Sequence, residues 1–198
     1  MQSATPSNWP GSLGQRISIV GGSGAGKTYL AKLLSQRLGL PHIEQDAIFH
    51  QPGWQPLPRD EFRERVTQAL AEPRWVVEGS YSATRPLILA RAETVIWLDL
   101  PRTLVMYQIV TRTLGRLLTR KTLWNGNRER LRNVMSLDPS RSIILWSWTR
   151  HGLYRERVLA EQQDPANAGI HYIRVRSRAD LHTLLGRLPS FVTPGSAP

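Results

Sequence analysis

The sequence predicts an α/β fold of three layers, a central five-stranded parallel sheet with helices on both faces and a small lid. Three observations predict it. An apolar run, Ile17 to Val20, passes through a glycine-rich loop into a helix-patterned segment, Tyr29 to Leu38. Strand and helix patterns then alternate along the chain, the order that builds parallel sheets. Two strand candidates close in an acid, Glu78 and Asp99, and in such sheets ligands gather beyond the C-terminal strand ends.

Residues 1–14 are rich in Ser, Pro, Gly and Asn without a period and read as a flexible arm; the domain spans 15–189, and 190–198 form a flexible tail. After the first strand, Gly21-Gly22-Ser23-Gly24-Ala25-Gly26-Lys27-Thr28 fits G-x-x-x-x-G-K-[ST], the P-loop pattern. Its glycines let successive backbone N–H groups turn toward a polyphosphate at the positive N-terminus of the following helix. In this reading all eight residues hold ATP, Lys27 reaches the β- and γ-phosphates as a point charge, and the Thr28 hydroxyl ligates Mg2+. Leu30, Leu33, Leu34 and Leu38 share one face of that helix, and Gly39 stops it.

Pro41 to Asp46 holds a short strand, and Ala47 to Pro58, with Gly53 and three prolines, reads as an irregular loop. Phe62, Val66, Ala69 and Leu70 have helical spacing, and Pro73 ends that helix. Trp75 to Val77 and Val95 to Leu98 are the next strands. From Arg102 a helix runs to about Arg120, with Leu104, Val105, Gln108 and Ile109 inward and Arg112, Arg116 and Arg120 in a basic stripe. Thr122 to Arg132 breaks the pattern at Trp124-Asn125-Gly126-Asn127, as a hinged lid would, and the lid is placed at roughly 116–141. A long helix resumes near Ser142 and passes Leu153 to Leu159; His171 to Val175 is the last strand and Ala179 to Leu188 the closing helix.

The chain has 198 residues and no cysteine, which excludes disulfides, Cys-ligated zinc and thiol catalysis. No window offers the ~18 consecutive apolar residues of a membrane span, and the start lacks a basic region followed by an apolar one, so a cytoplasmic location is expected. The formal charge is +11, of which +9 falls in residues 102–157. A concentrated arginine block beside a P-loop suits the phosphates of a bound nucleotide, and it suits a nucleic-acid backbone equally. Trp54, Trp75, Trp97, Trp124, Trp146 and Trp148 would fit base stacking, but their places in strands and apolar runs favour a core role.

Beyond the P-loop, three patches carry a resemblance. Val77-Glu78-Gly79 resembles the strand-end acid and glycine that adenylate kinases write as Asp-Gly. Ile109-Val110-Thr111-Arg112-Thr113-Leu114-Gly115-Arg116 resembles the I-V-x-R-x-x-G-R helix that leads into the adenylate kinase lid. Trp97-Leu98-Asp99-Leu100-Pro101-Arg102, Trp124-Asn125-Gly126-Asn127-Arg128-Glu129 and Ile144-Leu145-Trp146 resemble segments of bacterial proteins named as related to a DNA-topology-modulation protein. Over roughly residues 16–188 the chain therefore resembles the adenylate-kinase-like group of P-loop small-molecule kinases.

The resemblance implies a phosphotransferase that uses ATP and Mg2+ and acts on a small acceptor, a nucleotide or nucleoside. It implies that Arg112 and Arg116 touch ATP, that Arg85 lies where an acceptor phosphate is held, and that Asp46, past the second strand, orients or deprotonates an acceptor hydroxyl. Glu78 is expected to support the metal through its waters, with Asp99 as the alternative; His50, four residues after Asp46, and Arg128 are lesser candidates. The rival reading is a nucleotide-dependent protein that binds nucleic acid or regulates DNA topology, with the basic block along the phosphate backbone.

Overall fold

The structure, a computed structural model, describes residues 12–119, 122–128 and 143–188. Five parallel strands form the central sheet: β1 (Arg16–Gly21), β2 (His42–Glu44), β5 (Trp75–Glu78), β6 (Thr94–Leu98) and β7 (His171–Val175), in the spatial order β2-β5-β1-β6-β7. All four pairings are parallel, so the C-terminal ends of β1, β2 and β5 open on the same edge. The P-loop strand β1 lies in the middle.

Side-chain alternation along the strands explains the three layers. Ile17, Ile19, Val76, Ile96, Leu98, Ile173 and Val175 face one core, closed by α1 (Lys27–Leu38), α5 (Arg102–Leu118) and the last helix, α7 (Arg178–Gly186). Trp75 and Val77 face the opposite side, covered by α3 (Arg59–Leu70) and α4 (Arg85–Leu89). Val20, Val95 and Trp97 meet Val158 of the long helix α6 (Ile143–Gln163) on that side. Helices thus lie on both faces, as the sequence predicts.

Differences from the sequence reading fall mostly where short elements depend on tertiary contacts. The stretch 47–58, expected to be irregular, holds the end of a short helix, α2 (Gln45–Phe49), and a small antiparallel hairpin of β3 (His50–Gln51) and β4 (Gln55–Pro56). Helix α4 has no apolar period of its own, because five residues are too few to show one. Leu13, in the stretch read as an arm, is buried and its carbonyl accepts a hydrogen bond from Thr94 Oγ1. Residues 1–11, the whole of the tail with residue 189, 120–121 and 129–141 of the expected lid, and residue 142 lie outside the described residues. Among the described residues no helix is long and apolar enough to cross a membrane.

Candidate functional site

Strand β1 hands the chain directly to the loop and α1. Gly24 has φ +81, and a Cβ there would stand 2.3 Å from Ile109 Cγ1, so only glycine lets the loop lie against α5. Helix α1 has no side-chain cap and no acid in its first turn, which leaves its N-terminal dipole without an anion from this element. A Cβ built at Gly22 or Gly26 would meet nothing within 4 Å, so the loop borders an open cradle. Lys27 Nζ reaches across it and donates to the carbonyls of Gly21 at 3.1 Å and Gly22 at 3.0 Å. Arg112 on α5 donates to Ser23 Oγ at 3.4 Å, and Ser147 on α6 donates to the Ser23 carbonyl at 3.4 Å, so both helices touch the loop.

The strand-end acid on β5 meets the loop from beside it. Thr28 Oγ1 donates to Glu78 Oε1 at 2.7 Å, and Glu78 is only 1% exposed. Burial pushes the Glu78 carboxyl up to about 7, against the opposing pull of the Lys27 charge and the Thr28 hydrogen bond. Burial likewise lowers Lys27, with Glu78 and Asp46 raising it and Arg112 lowering it. Lys27 therefore senses the charges of Glu78, Asp46 and Arg112, and the structure brings these four sequence-predicted residues to one place.

Asp46 stands in the first turn of α2, just past β2, and Tyr81 OH donates to its Oδ1 at 2.5 Å. Its neighbour Gln45 is buried, accepts from Thr84 Oγ1 at 2.5 Å, and extends its Nε2 to the Glu78 carbonyl at 3.4 Å. Gly79, at φ +138, makes room for it: a Cβ there would lie 2.6 Å from Gln45 Nε2. Ser80 Oγ donates to the Gly21 carbonyl at 3.0 Å. The segment 78–85 is thus a strap along which Glu78, Ser80, Tyr81 and Thr84 each hold a different part of the site. The sequence reading missed Ser80, Tyr81 and Gln45; a Ser-Tyr pair directly after a strand-end Glu-Gly was the available signal.

Arg85 also lies on this strap, and its partners are internal. Its Nε donates to Glu161 Oε2 at 2.8 Å and its Nη1 to Ser18 Oγ at 3.0 Å, with the guanidinium buried. A small pocket beside the loop is lined by Gly21, Ser80, Tyr81, Arg85, Tyr154 and Arg157, so Arg85 borders a space that Tyr81, the hydrogen-bond partner of Asp46, also lines. Asp99 accepts from Arg174 Nε at 2.8 Å and pairs with Arg155 at 3.7 Å, whereas Glu78 holds the Thr28 hydroxyl. Arg116 is half-buried one turn beyond Arg112. Burial lowers the His50 imidazole, against the raising pull of the Asp46 charge. His50 and Arg128 both take part in the docking of the turn 122–128 on the β3–β4 hairpin, with the Trp124 ring stacked on His50 at 5.9 Å and Trp54 Nε1 donating to the Arg128 carbonyl at 3.0 Å.

These groups fit the chemistry of a phosphate and a hard cation. Uncapped helix N–H groups, a lysine and an arginine suit an anion. Among the described residues no three His, Asp or Glu side chains converge to cage a metal. Mg2+ asks for less, since it keeps several waters and takes one or two protein oxygens beside substrate phosphates, and Thr28 with Glu78 offers that much.

No family model and no curated protein matches the chain. Among solved structures it is similar to a gluconokinase from Sinorhizobium meliloti 1021, at 16% identity over 88% of this chain and 89% of that chain, with a TM-score of 0.49. It is also similar to the shikimate kinase from Aquifex aeolicus vf5, at 15% identity over 86% of this chain and 94% of that chain, with a TM-score of 0.45. Likeness at this level concerns fold alone; the fold class stands on the strand order and register, an α/β structure with a five-stranded parallel sheet.

Proposed function

We propose that this chain is a kinase that moves the γ-phosphoryl group of ATP, with Mg2+, to a hydroxyl of a small acceptor, a nucleotide or nucleoside being the favoured class. One observation carries the reading: at the ends of the adjacent strands β2, β5 and β1, Asp46, Glu78 and the Lys27–Thr28 pair converge within mutual electrostatic reach. Mg·ATP supplies the transferable group and a bound cation's charge. The loop N–H groups and Lys27 bind the phosphates, and Thr28 with Glu78 holds the cation. Arg112, and Arg116 beyond it, balance the charge that builds up during transfer, in the manner of an arginine worth ~10³–10⁵ in rate. Asp46 orients the acceptor hydroxyl from beside Tyr81, which with Ser80 and Arg157 lines the adjoining pocket, where Arg85 is braced by Glu161. The turn 122–128 docks on the segment that follows Asp46, through Asn125 to the Ala47 carbonyl and Asn127 to the Gln51 carbonyl.

ATP consumption measured against a panel of nucleosides, nucleoside monophosphates and small alcohols tests the proposal. Acceptor-dependent turnover that falls severely in Arg116→Ala is expected. A salt-titrated DNA-binding assay on the same proteins addresses the basic block of 102–157. Weak, sequence-independent binding that salt removes is expected, with log affinity falling against log salt by about 0.9 per contacted duplex phosphate. Tight binding at physiological salt, lost in Arg116→Ala while ATP turnover persists, would establish the nucleic-acid reading instead.

A further inference from the structure

Tyr81 is the hydrogen-bond donor that the described residues supply to Asp46, and it reaches Oδ1 at 2.5 Å. Oδ2 accepts no hydrogen bond from any described residue. The phenol has little freedom to move. Its ring packs at 4.8 Å from Phe49 and 5.0 Å from Phe62, and those two rings meet at 5.1 Å. One residue before it, Ser80 is fastened to the carbonyl of Gly21 in the P-loop. Three residues after it, Thr84 is fastened to Gln45, the neighbour of Asp46. Tyr81 therefore stands at a fixed position relative to both the phosphate loop and α2. A carboxylate turns freely about its last torsion unless one oxygen is held, and a positional error of an ångström is costly in a transfer reaction.

We propose that Tyr81 is a positioning residue for phosphoryl transfer: it pins Oδ1 of Asp46 so that Oδ2 alone is presented to the acceptor hydroxyl, which presupposes that Asp46 is the acceptor-orienting carboxylate. In the step so arranged, the acceptor hydroxyl gives its proton to Oδ2 while its oxygen forms the new bond to the γ-phosphorus. The bond from that phosphorus to the bridging oxygen breaks, and ADP leaves with the electron pair. Burial raises the Tyr81 phenol far above its usual range, with the Asp46 charge and hydrogen bond adding to it, so Tyr81 keeps its proton and acts only as a donor. The same geometry presents Oδ2 to water, so ATP hydrolysis by water is a valid readout beside acceptor turnover.

A double-mutant cycle tests the proposal with Tyr81→Phe, Asp46→Asn and the pair, measuring hydrolysis of Mg·ATP by water and turnover of the most active compound in the acceptor panel. Tyr81→Phe keeps the ring and its packing. It is expected to lower kcat by about tenfold or more, the worth of one hydrogen bond to a charged group, with KM for ATP unchanged. In the Asp46→Asn background the same substitution is expected to change kcat by less than about twofold, because the carboxylate it acts through is gone. Calorimetric ATP affinity equal to the parent's verifies that each variant is folded. Parent-like kcat in Tyr81→Phe overturns the positioning role while leaving Asp46 in place, and an equal loss in both backgrounds reduces Tyr81 to a structural residue. Parent-like kcat in Asp46→Asn instead removes the reading of Asp46, and the positioning role falls with it.

Discussion

Lys27 crosses the loop to the carbonyls of Gly21 and Gly22 and belongs to none of the apolar core clusters, so its removal takes away a charge and leaves those clusters intact. Lys27→Ala is expected to leave the circular dichroism spectrum unchanged and to weaken Mg·ATP binding on the order of a hundredfold, at the upper end of what a charged hydrogen bond contributes. Calorimetry checks it, and parent-like affinity in the folded variant would make the loop structural. Glu78 gives a pH signature. Its folded-state value of about 7 lies above the ordinary 4.5, so between these values the folded protein holds a proton that the unfolded chain has lost. Stability of the protein alone therefore falls as pH rises from about 4.5 to about 7, by roughly 3 kcal/mol for this one group. Glu78→Gln is expected to flatten that slope and to be the more stable form at pH 8. Urea midpoints at several pH values measure it, and an unchanged slope in the variant would refute the assignment. Lys27, Thr28 and Glu78 were legible as residues in the sequence, whereas the elevated Glu78 value was not, because it follows from burial between strands.

The docking of the turn 122–128 on the β3–β4 hairpin rests on side-chain amides acting as substitutes for backbone pairing. Asn127 is buried; its Oδ1 accepts from the Trp54 N–H at 2.8 Å and its Nδ2 donates to the Gln51 carbonyl at 2.9 Å. Asn125 Nδ2 donates to the carbonyls of His50 at 2.6 Å and Ala47 at 3.1 Å. Both tips carry a residue in the left-handed region, Trp54 at φ 62 and Asn125 at φ 53, a conformation that asparagine accepts readily and tryptophan does not. Such strain persists where surrounding contacts hold it. Asn127→Ala removes both of its bonds and is expected to release the hairpin, seen as faster hydrogen exchange at the Trp54 amide by tenfold or so. Equal protection in parent and variant would mean that the aromatic cluster of His50, Trp54 and Trp124 suffices. The sequence marks Trp124-Asn125-Gly126-Asn127 as a turn, but its partner lies more than seventy residues earlier in the chain, where no local pattern points to it.

Across the whole molecule, α6 is tied to the sheet by one buried ion pair as well as by Val158. Arg85 and Glu161 meet at 2.7 Å with side chains 8% and 14% exposed, and Arg85 continues to Ser18 on β1. Removing one partner of such a pair strands the other charge. Glu161→Gln is therefore expected to cost about 3 kcal/mol in chemical denaturation, with α6 loosening from the sheet face that carries Val20, Val95 and Trp97. A parent-like midpoint would show that the apolar contacts hold α6 alone. The remaining basic residues of 102–157 have a different standing: Arg112 reaches the P-loop and Arg155 approaches Asp99, so part of the local charge is committed within the molecule.

By itself the sequence determined the features that short-range physics writes into consecutive residues. The loop from Gly21 to Thr28 needs its glycines at fixed spacing, and the alternating strands Ile17 to Val20, Trp75 to Val77 and Val95 to Leu98 need two buried faces. From these the α/β class and the parallel sheet followed. Only the tertiary structure decided which side chains meet there. It set Tyr81 on Asp46 across 35 residues, Arg85 on Glu161 across 76, and Thr28 on Glu78 across 50. Those pairings depend on strand order and on how helices cross the sheet, and both are fixed by the joint burial of distant apolar faces rather than by any local pattern.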